Sequence, residues 1–248
     1  MERAAGRDAK RWLDQAAIDG PVMELRPDYT ALIIVAEDLR PGPPDQATDA
    51  LLADAEAGAR AALAGRAAAE LEPVDAWRAA YQAFGAKPKR TRPSVEALLR
   101  RVEGGLPRID RLTDIYNAMS LKHLLPIGGE DLGEYRGPAR LVRAVGDEPF
   151  DTTRDGQPVT EHPEPGEVVW RDDAGVTCRR WNWRQARRTQ LSDDTTAALF
   201  ILDALGPVAG AALHAAAGDM AAHLARLGPG VRVARRSITV GPAPGEGA

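Results

Sequence analysis

Thr113, Asn117 and Ser120 fall three and four residues apart in the sequence, so on a helix they stand beside one another. A polar strip on a mostly buried helix can be the wall of a pocket. The same strip could equally be the solvated edge of a helix, and the pattern leaves both readings open. Just downstream, PIGGED (126–131) sets the paired glycines Gly128 and Gly129 beside the carboxylate of Asp131. Read as a turn, it lets backbone come close to a guest because no Cβ intervenes. A further segment, GVTCRRWNWR (175–184), concentrates scarce residue types. On a strand, Cys178, Arg180, Asn182 and Arg184 would share a polar face that could line a pocket. Arg179, Trp181 and Trp183 would take the other face, with Arg179 covering the indoles or pairing with an acid. Lys87, Lys89, Arg90 and Arg92 form a basic run, with Arg100 and Arg101 ending the next helix. Such a patch can attract a phosphate backbone or simply be a solvated face.

Other chemistry is missing. There is no G-x-x-x-x-G-K-[ST] or G-x-G-x-x-G phosphate cradle and no G-x-S-x-G elbow. His123, His162, His214 and His223 show no zinc-ligand spacing, so neither a metal nor a cofactor is expected. Cys178 has no sequence partner for a nucleophilic dyad and reads as a half-buried strand residue. The chain has 248 residues, 44% of them hydrophobic, which supports a real core. The net charge of −4 confines any nucleic-acid contact to local patches. The single cysteine excludes an internal disulfide. The N-terminal stretch holds no apolar signal segment, and no apolar run is long enough to span a bilayer. These features predict a cytoplasmic protein without membrane contact.

The elements that must position these residues follow from periodicity. Residues 1–20 read as a polar, frayed, peripheral helix, 22–25 and 31–36 as short strands, and 39–44 as a loop. Helices are expected over 47–71, over 74–84 with Trp77, Tyr81 and Phe84 facing a core, and over 95–102 capped by Ser94. A helix from 106 would bury Ile109, Leu112, Ile115 and Met119 and stop at Pro126. Strands are expected at 139–145 and 231–240, with a hairpin over 167–171 and 175–183; 195–205 could be a buried strand or a helix, and the strand is favoured because Gly206-Pro207 opens a fresh helix. Residues 147–166 read as a long surface excursion, and 208–227 as a helix. This order predicts an α+β fold: a mixed, mostly antiparallel sheet packed with helices.

Four pieces in order, YQAFGAKPKRTRPSVEALLRRV (81–102), LPRIDRLTDIYNAMSLKHLLPIGGEDL (106–132), GVTCRRWNWR (175–184) and SDDTTAALFILDAL (192–205), carry a resemblance. Together they resemble the B3/4 tRNA-editing module of the bacterial phenylalanyl-tRNA synthetase beta subunit, in a free-standing form without a synthetase core. The match runs over roughly residues 75–205. It implies one editing-module-like unit over 1–240, with 1–74 packed on it, 206–240 completing it and a disordered tail from 241. It also implies hydrolysis of a wrongly esterified amino acid from the acceptor end of an aminoacylated tRNA. An aminoacyl ester is already activated, so a positioned water and hydrogen bonds could suffice.

By the resemblance, Asn117 holds the ester or the water, and Gly128, Gly129 and Asp131 form a pocket turn. That turn has lost the histidine of the family pattern. Thr113, Cys178, Arg180, Asn182, Arg184, Thr195, Thr196 and Asp203 are the other expected substrate contacts. Arg180 and Asn182 fill space that is open in the synthetase, and Asp203 is the nearest acid to the position where the synthetase reads a tyrosine hydroxyl. A different acyl group is therefore expected. Lys87, Lys89, Arg90, Arg92, Arg100 and Arg101 are the expected tRNA contacts. The alternative is a non-catalytic module that kept the fold and binds RNA or an amino acid.

Overall fold

The structure is a computed structural model and describes residues 9–239. The chain begins with α1 (Ala9–Gln15), β1 (Ala17–Ile18), α2 (Gly20–Leu25), β2 (Thr30–Glu37), α3 (Gln46–Leu63), α4 (Glu72–Ala83), α5 (Ser94–Leu99) and α6 (Arg111–His123). It continues with β3 (Ile127–Asp131), β4 (Arg140–Arg143), β5 (Phe150–Arg154), β6 (Gln157–Glu161), β7 (Val168–Arg171), β8 (Val176–Arg179) and β9 (Arg184–Gln185). Strand β10 (Ala197–Ala204), helix α7 (Ala211–Leu224) and strand β11 (Arg232–Thr239) follow.

Continuous apolar runs mark strands covered on both faces. Such runs make β2 and β10 the centre of a four-stranded antiparallel sheet, ordered β11-β2-β10-β3. One face carries Ile34, Phe200 and Leu202 into a core shared with α3, α6 and α7. The other carries Ile33, Leu199 and Ile201 toward a five-stranded sheet, β1-β4-β7-β8-β9, in a core that includes Trp77, Tyr81, Trp170 and Trp181. Only the β1–β4 pair in that second sheet is parallel. The architecture is therefore α+β, with mostly antiparallel sheets packed with helices.

Local chemistry sets the ends of the elements. Asp45 caps α3 by accepting from Thr48 N at 2.9 Å while Thr48 Oγ1 accepts from Asp45 N at 3.0 Å. The helix stops at Leu63, short of residue 71, because Ala64 and Gly65 both take positive φ (47° and 78°). Asp110 caps α6 through Thr113 N at 2.8 Å, so Ile109 lies outside the helix and is 56% exposed rather than in the core. Pro21 starts α2 as a helical turn where residues 22–25 suggest a strand. Ser94 does not cap α5; Pro93 takes the cap position and Ser94 Oγ is buried without a partner.

Three other readings change. Residues 9–15 are no frayed surface helix, since Trp12 and Leu13 are buried and Trp12 Nε1 donates to Gly137 O at 3.0 Å. Residues 147–166 contain the β5–β6 hairpin, whose Asp155-Gly156 corner has φ of 50° and 76°. Gly128 and Gly129 do not form a turn but lie inside β3, at the edge of the four-stranded sheet. Residues 1–8, and those from 240 with the expected tail, lie outside the described residues.

Gly129 is needed for packing. A Cβ there would meet Phe200 Cε1 at 2.8 Å and the Cδ1 atoms of Leu191 and Tyr116 at 2.9 Å. We expect Gly129→Ala to lower unfolding free energy by about 1–3 kcal/mol in a urea titration; an unchanged midpoint would contradict this close approach.

Candidate functional site

The two sheets separate beside β3, leaving a cleft of 580 Å³. Strands β3 and β10 set one wall through their pairing. Gly128 stands opposite Ile201 and Glu130 opposite Leu199, so Gly128, Glu130, Ile201 and Asp203 point to the same side of the sheet. Tyr116 and Asn117 enter from α6, and Trp170, Cys178 and residues 181–185 come from the second sheet. Arg90, Arg92, Arg100 and Arg101 complete the lining from α5 and its flanking turns.

The expected strand over 175–183 ends at Arg179. Arg180 and Trp181 take positive φ (49° and 69°) and turn the chain before β9. This changes which side chains share a face. Trp181 is fully buried among Tyr29 and Trp77, with ring centroids at 4.9 and 5.4 Å. Asn182 points inward, accepting from Tyr81 Oη at 2.9 Å and donating from Nδ2 to Asp203 Oδ2 at 3.3 Å. Tyr29 Oη donates to the other Asp203 oxygen at 2.5 Å. Arg179 is buried in an ion pair with Glu167 at 2.8 Å, so of its two expected roles it takes the pairing with an acid.

Two carboxylates are buried against the cleft without a salt-bridge partner among the described residues: Asp203 and Glu130, each 2% exposed. Burial pushes Asp203 up to about 7, against the hydrogen bonds from Tyr29 and Asn182 that hold it down. Burial likewise pushes Glu130 up to about 7, against the Tyr135 Oη bond to Oε2 at 2.8 Å. Burial raises the Cys178 thiol well above its usual range, so this thiol is no ready nucleophile despite its arginine neighbours. The indole N–H groups of Trp170 and Trp181, both residues lining the cleft, are buried without a well-formed acceptor.

Of the residues expected at the site, the cleft brings together Asn117, Gly128, Cys178, Asn182, Arg184 and Asp203, with Arg90, Arg92, Arg100 and Arg101. The others are engaged elsewhere. Thr113 Oγ1 donates to Asp110 at 2.7 Å, and Ser120 Oγ donates to Leu125 O at 2.6 Å. Two members of the polar strip thus serve the ends of α6, and only Asn117 reaches the cleft. Gly129 faces the α6 side, and its carbonyl accepts from Gln185 Nε2 at 2.9 Å, pinning the sheet edge to β9. Asp131 accepts from Gly133 N at 2.8 Å and from Thr195 Oγ1 at 2.6 Å, which removes both from the lining. Thr196 is exposed, and Arg180 turns away to Glu167. Lys87 and Lys89 are exposed on the loop outside the cleft. Glu130 was not among the expected residues; it becomes visible once 127–131 is a strand, because it then shares a face with Gly128.

Residues 76–225 match the model of the B3/4 domain family, more than half of the chain, and the chain belongs to that family. Among solved structures it is similar to an N-terminal fragment of the phenylalanyl-tRNA synthetase beta-subunit from Pyrococcus horikoshii, at 12% identity and a TM-score of 0.45. That likeness covers 88% of this chain and 50% of the fragment, so the chain spans half of its length. No curated protein matches. Among the described residues, no helix is long and apolar enough to cross a membrane, and no group of three or more His, Cys, Asp or Glu side chains is arranged to hold a metal.

The raised carboxylates carry a stability signature. A group whose folded pKa lies above its unfolded value contributes stability below the unfolded value and loses it as pH rises through the folded one. For Asp203 that window runs from 3.8 to about 7. We expect Asp203→Asn to lose less stability than the parent between pH 5 and pH 8, by about 1 kcal/mol or more. Parallel pH profiles for the two proteins would show that Asp203 is not held protonated.

Proposed function

We propose that this protein hydrolyses the ester between an amino acid and the terminal ribose of a tRNA. The observation that carries the reading is the meeting of Asn117, Asn182, Glu130 and Asp203 in one cleft rimmed by arginines. Arg90, Arg100 and Arg101 make no ion pair among the described residues, so their charge is available to an acceptor-stem backbone. The acyl group enters between Trp170, Trp181, Ile201 and Cys178. Its size and its polar end are bounded by Asn182 and Asp203.

In this reading Asn117 donates its amide hydrogen to the ester carbonyl oxygen, which gains negative charge as water attacks. Glu130 accepts the proton of that water. Both oxygens of Asp203 are occupied by Tyr29 and Asn182, whereas the Tyr135 bond to Glu130 falls on Oε2. The bond from the acyl carbon to the ribose oxygen breaks, and the proton passes from Glu130 to that oxygen. A carboxyl poised near 7 suits both halves of this transfer at neutral pH. The second reading, a module that binds RNA or an amino acid without turnover, draws on the lost histidine of the 126–131 segment.

Single-turnover release of labelled amino acid from a panel of misacylated tRNAs tests the proposal. The rate should rise with pH through about 7, because Glu130 must be ionised to accept a proton. Glu130→Gln should lower it by roughly 10²–10⁴-fold with tRNA affinity unchanged, and Asn117→Ala by roughly 10²-fold. Arg100→Glu with Arg101→Glu should weaken tRNA binding and flatten its salt dependence. Binding without turnover of any panel member would favour the binding module; turnover untouched in Glu130→Gln would remove that residue from the chemistry.

A further inference from the structure

The proposed chemistry uses the cleft interior and the arginines that face phosphate, and Trp183 belongs to neither. The chain has 5 tryptophans. Trp12, Trp77, Trp170 and Trp181 are all buried at 5% exposure or less. Trp183 alone is left half-buried, and it is among the residues lining the cleft. An indole kept partly in water leaves apolar area unburied, and here the turn holds it there under constraint. Arg180 and Trp181 occupy the left-handed region, and Trp183 N donates to Arg179 O at 3.1 Å, closing the turn.

The ring is also backed from behind. The Arg180 guanidinium carbon lies 4.5 Å from the Trp183 centroid, and Arg180 is itself fixed by Glu167 at 3.5 Å. Arg184 is farther from the ring, at 5.9 Å, and its Nη2 is tied to Thr153 O at 2.9 Å. The result is a partly exposed indole, packed on the second core, held in place with a guanidinium over its ring and set in the lining of a cleft rich in arginine. The ligand matching that surface is a planar aromatic ring carried on a sugar-phosphate backbone, which describes the base of a nucleotide.

We propose that Trp183, backed by Arg180, is the stacking platform for the terminal adenine of the tRNA acceptor strand. The inference rests on the reading of the cleft as an aminoacyl-ester site and specifies where the nucleoside half of that ester sits. Consecutive residues divide the substrate: Asn182 points to the acyl group inside, and Trp183 to the base at the mouth. The ribose lies between them, within reach of Asn117 and Glu130. Stacking needs no particular hydrogen-bond pattern, so this contact anchors any acceptor end and leaves discrimination to the interior.

The test measures binding of the full chain to two uncharged acceptor-stem minihelices, one ending in CCA and one in CC. For the parent protein the CCA form should bind roughly tenfold tighter. Trp183→Leu should lose most of the difference between the two, whereas Trp183→Phe, which keeps a ring, should retain most of it. The part of the difference that Trp183→Leu removes should persist as salt rises, because stacking releases no counterions, while overall affinity falls. Equal binding of the two minihelices by the parent would overturn the platform and leave the tRNA reading intact. A full CCA preference in Trp183→Leu would overturn it as well. Failure of the parent to bind either minihelix would remove both proposals together.

Discussion

A carboxylate buried where two sheets meet is the constraint around which this structure is arranged. Asp203 lies in β10, an otherwise apolar strand in the middle of the fold, and salt-bridges to nothing described. An ionised group in that position costs several kcal/mol unless it is hydrogen-bonded or protonated. The chain does both. Tyr29, from the turn before β2, and Asn182, from the turn after β8, each bond one oxygen, and burial raises the carboxyl to about 7. Tyr81 on α4 then holds Asn182 from behind. The network joins the first sheet, the second sheet and a helix through one residue. An apolar side chain in its place would pack more simply, and that contrast makes Asp203 informative.

A second tie keeps the cleft open at a defined width. Strand β3 is a sheet edge, and its free backbone groups would otherwise invite another strand. Gln185 reaches across from β9 to the carbonyl of Gly129 instead. Tyr116 and Phe200 occupy the space a side chain at Gly129 would need. The edge is thus held by the Gln185 side-chain bond and by a backbone bond from Asp131 N to Thr189 O at 2.9 Å rather than by a continued ladder. Glu130 is thereby left facing the cavity, with Tyr135 behind it.

How much of this was legible in the sequence depends on which force decides each feature. The central strands were legible because 31–36 and 198–202 are unbroken apolar runs; for the second, which could also be a buried helix, the Gly206-Pro207 break decided for a strand. The aromatic stripe of Trp77, Tyr81 and Phe84 was legible from its helical spacing, which puts the three rings on one face. Residues 126–131 were not, because two glycines and a proline signal a turn locally, while the pairing of Gly128 with Ile201 is decided by a partner far away in sequence. That misreading concealed Glu130. Thr113 and Ser120 misled in the other direction: their spacing fits a pocket wall, but helix ends compete for the same hydroxyls. The Asp155-Gly156 corner was a readable hairpin signal set in a stretch whose prolines and acids suggested a loop. Within the site, Asn117 and Cys178 could be placed on a helix or strand face, and Asp203 was named only through the family resemblance. Those placed by special backbone geometry, above all the turn at Arg180 and Trp181, were legible by composition only.

The central claim is that one guest, an amino acid joined to a terminal adenosine, occupies this cleft with its carbonyl between Asn117 and Glu130. A crystal structure with an amide-linked, non-hydrolysable 3′-aminoacylamino-3′-deoxyadenosine tests it most directly. The account predicts the acyl group against Trp170, Trp181 and Asp203 and the carbonyl oxygen within hydrogen-bond distance of the Asn117 amide. An analogue bound elsewhere, or lying in the cleft with its carbonyl turned away from both Asn117 and Glu130, would contradict it.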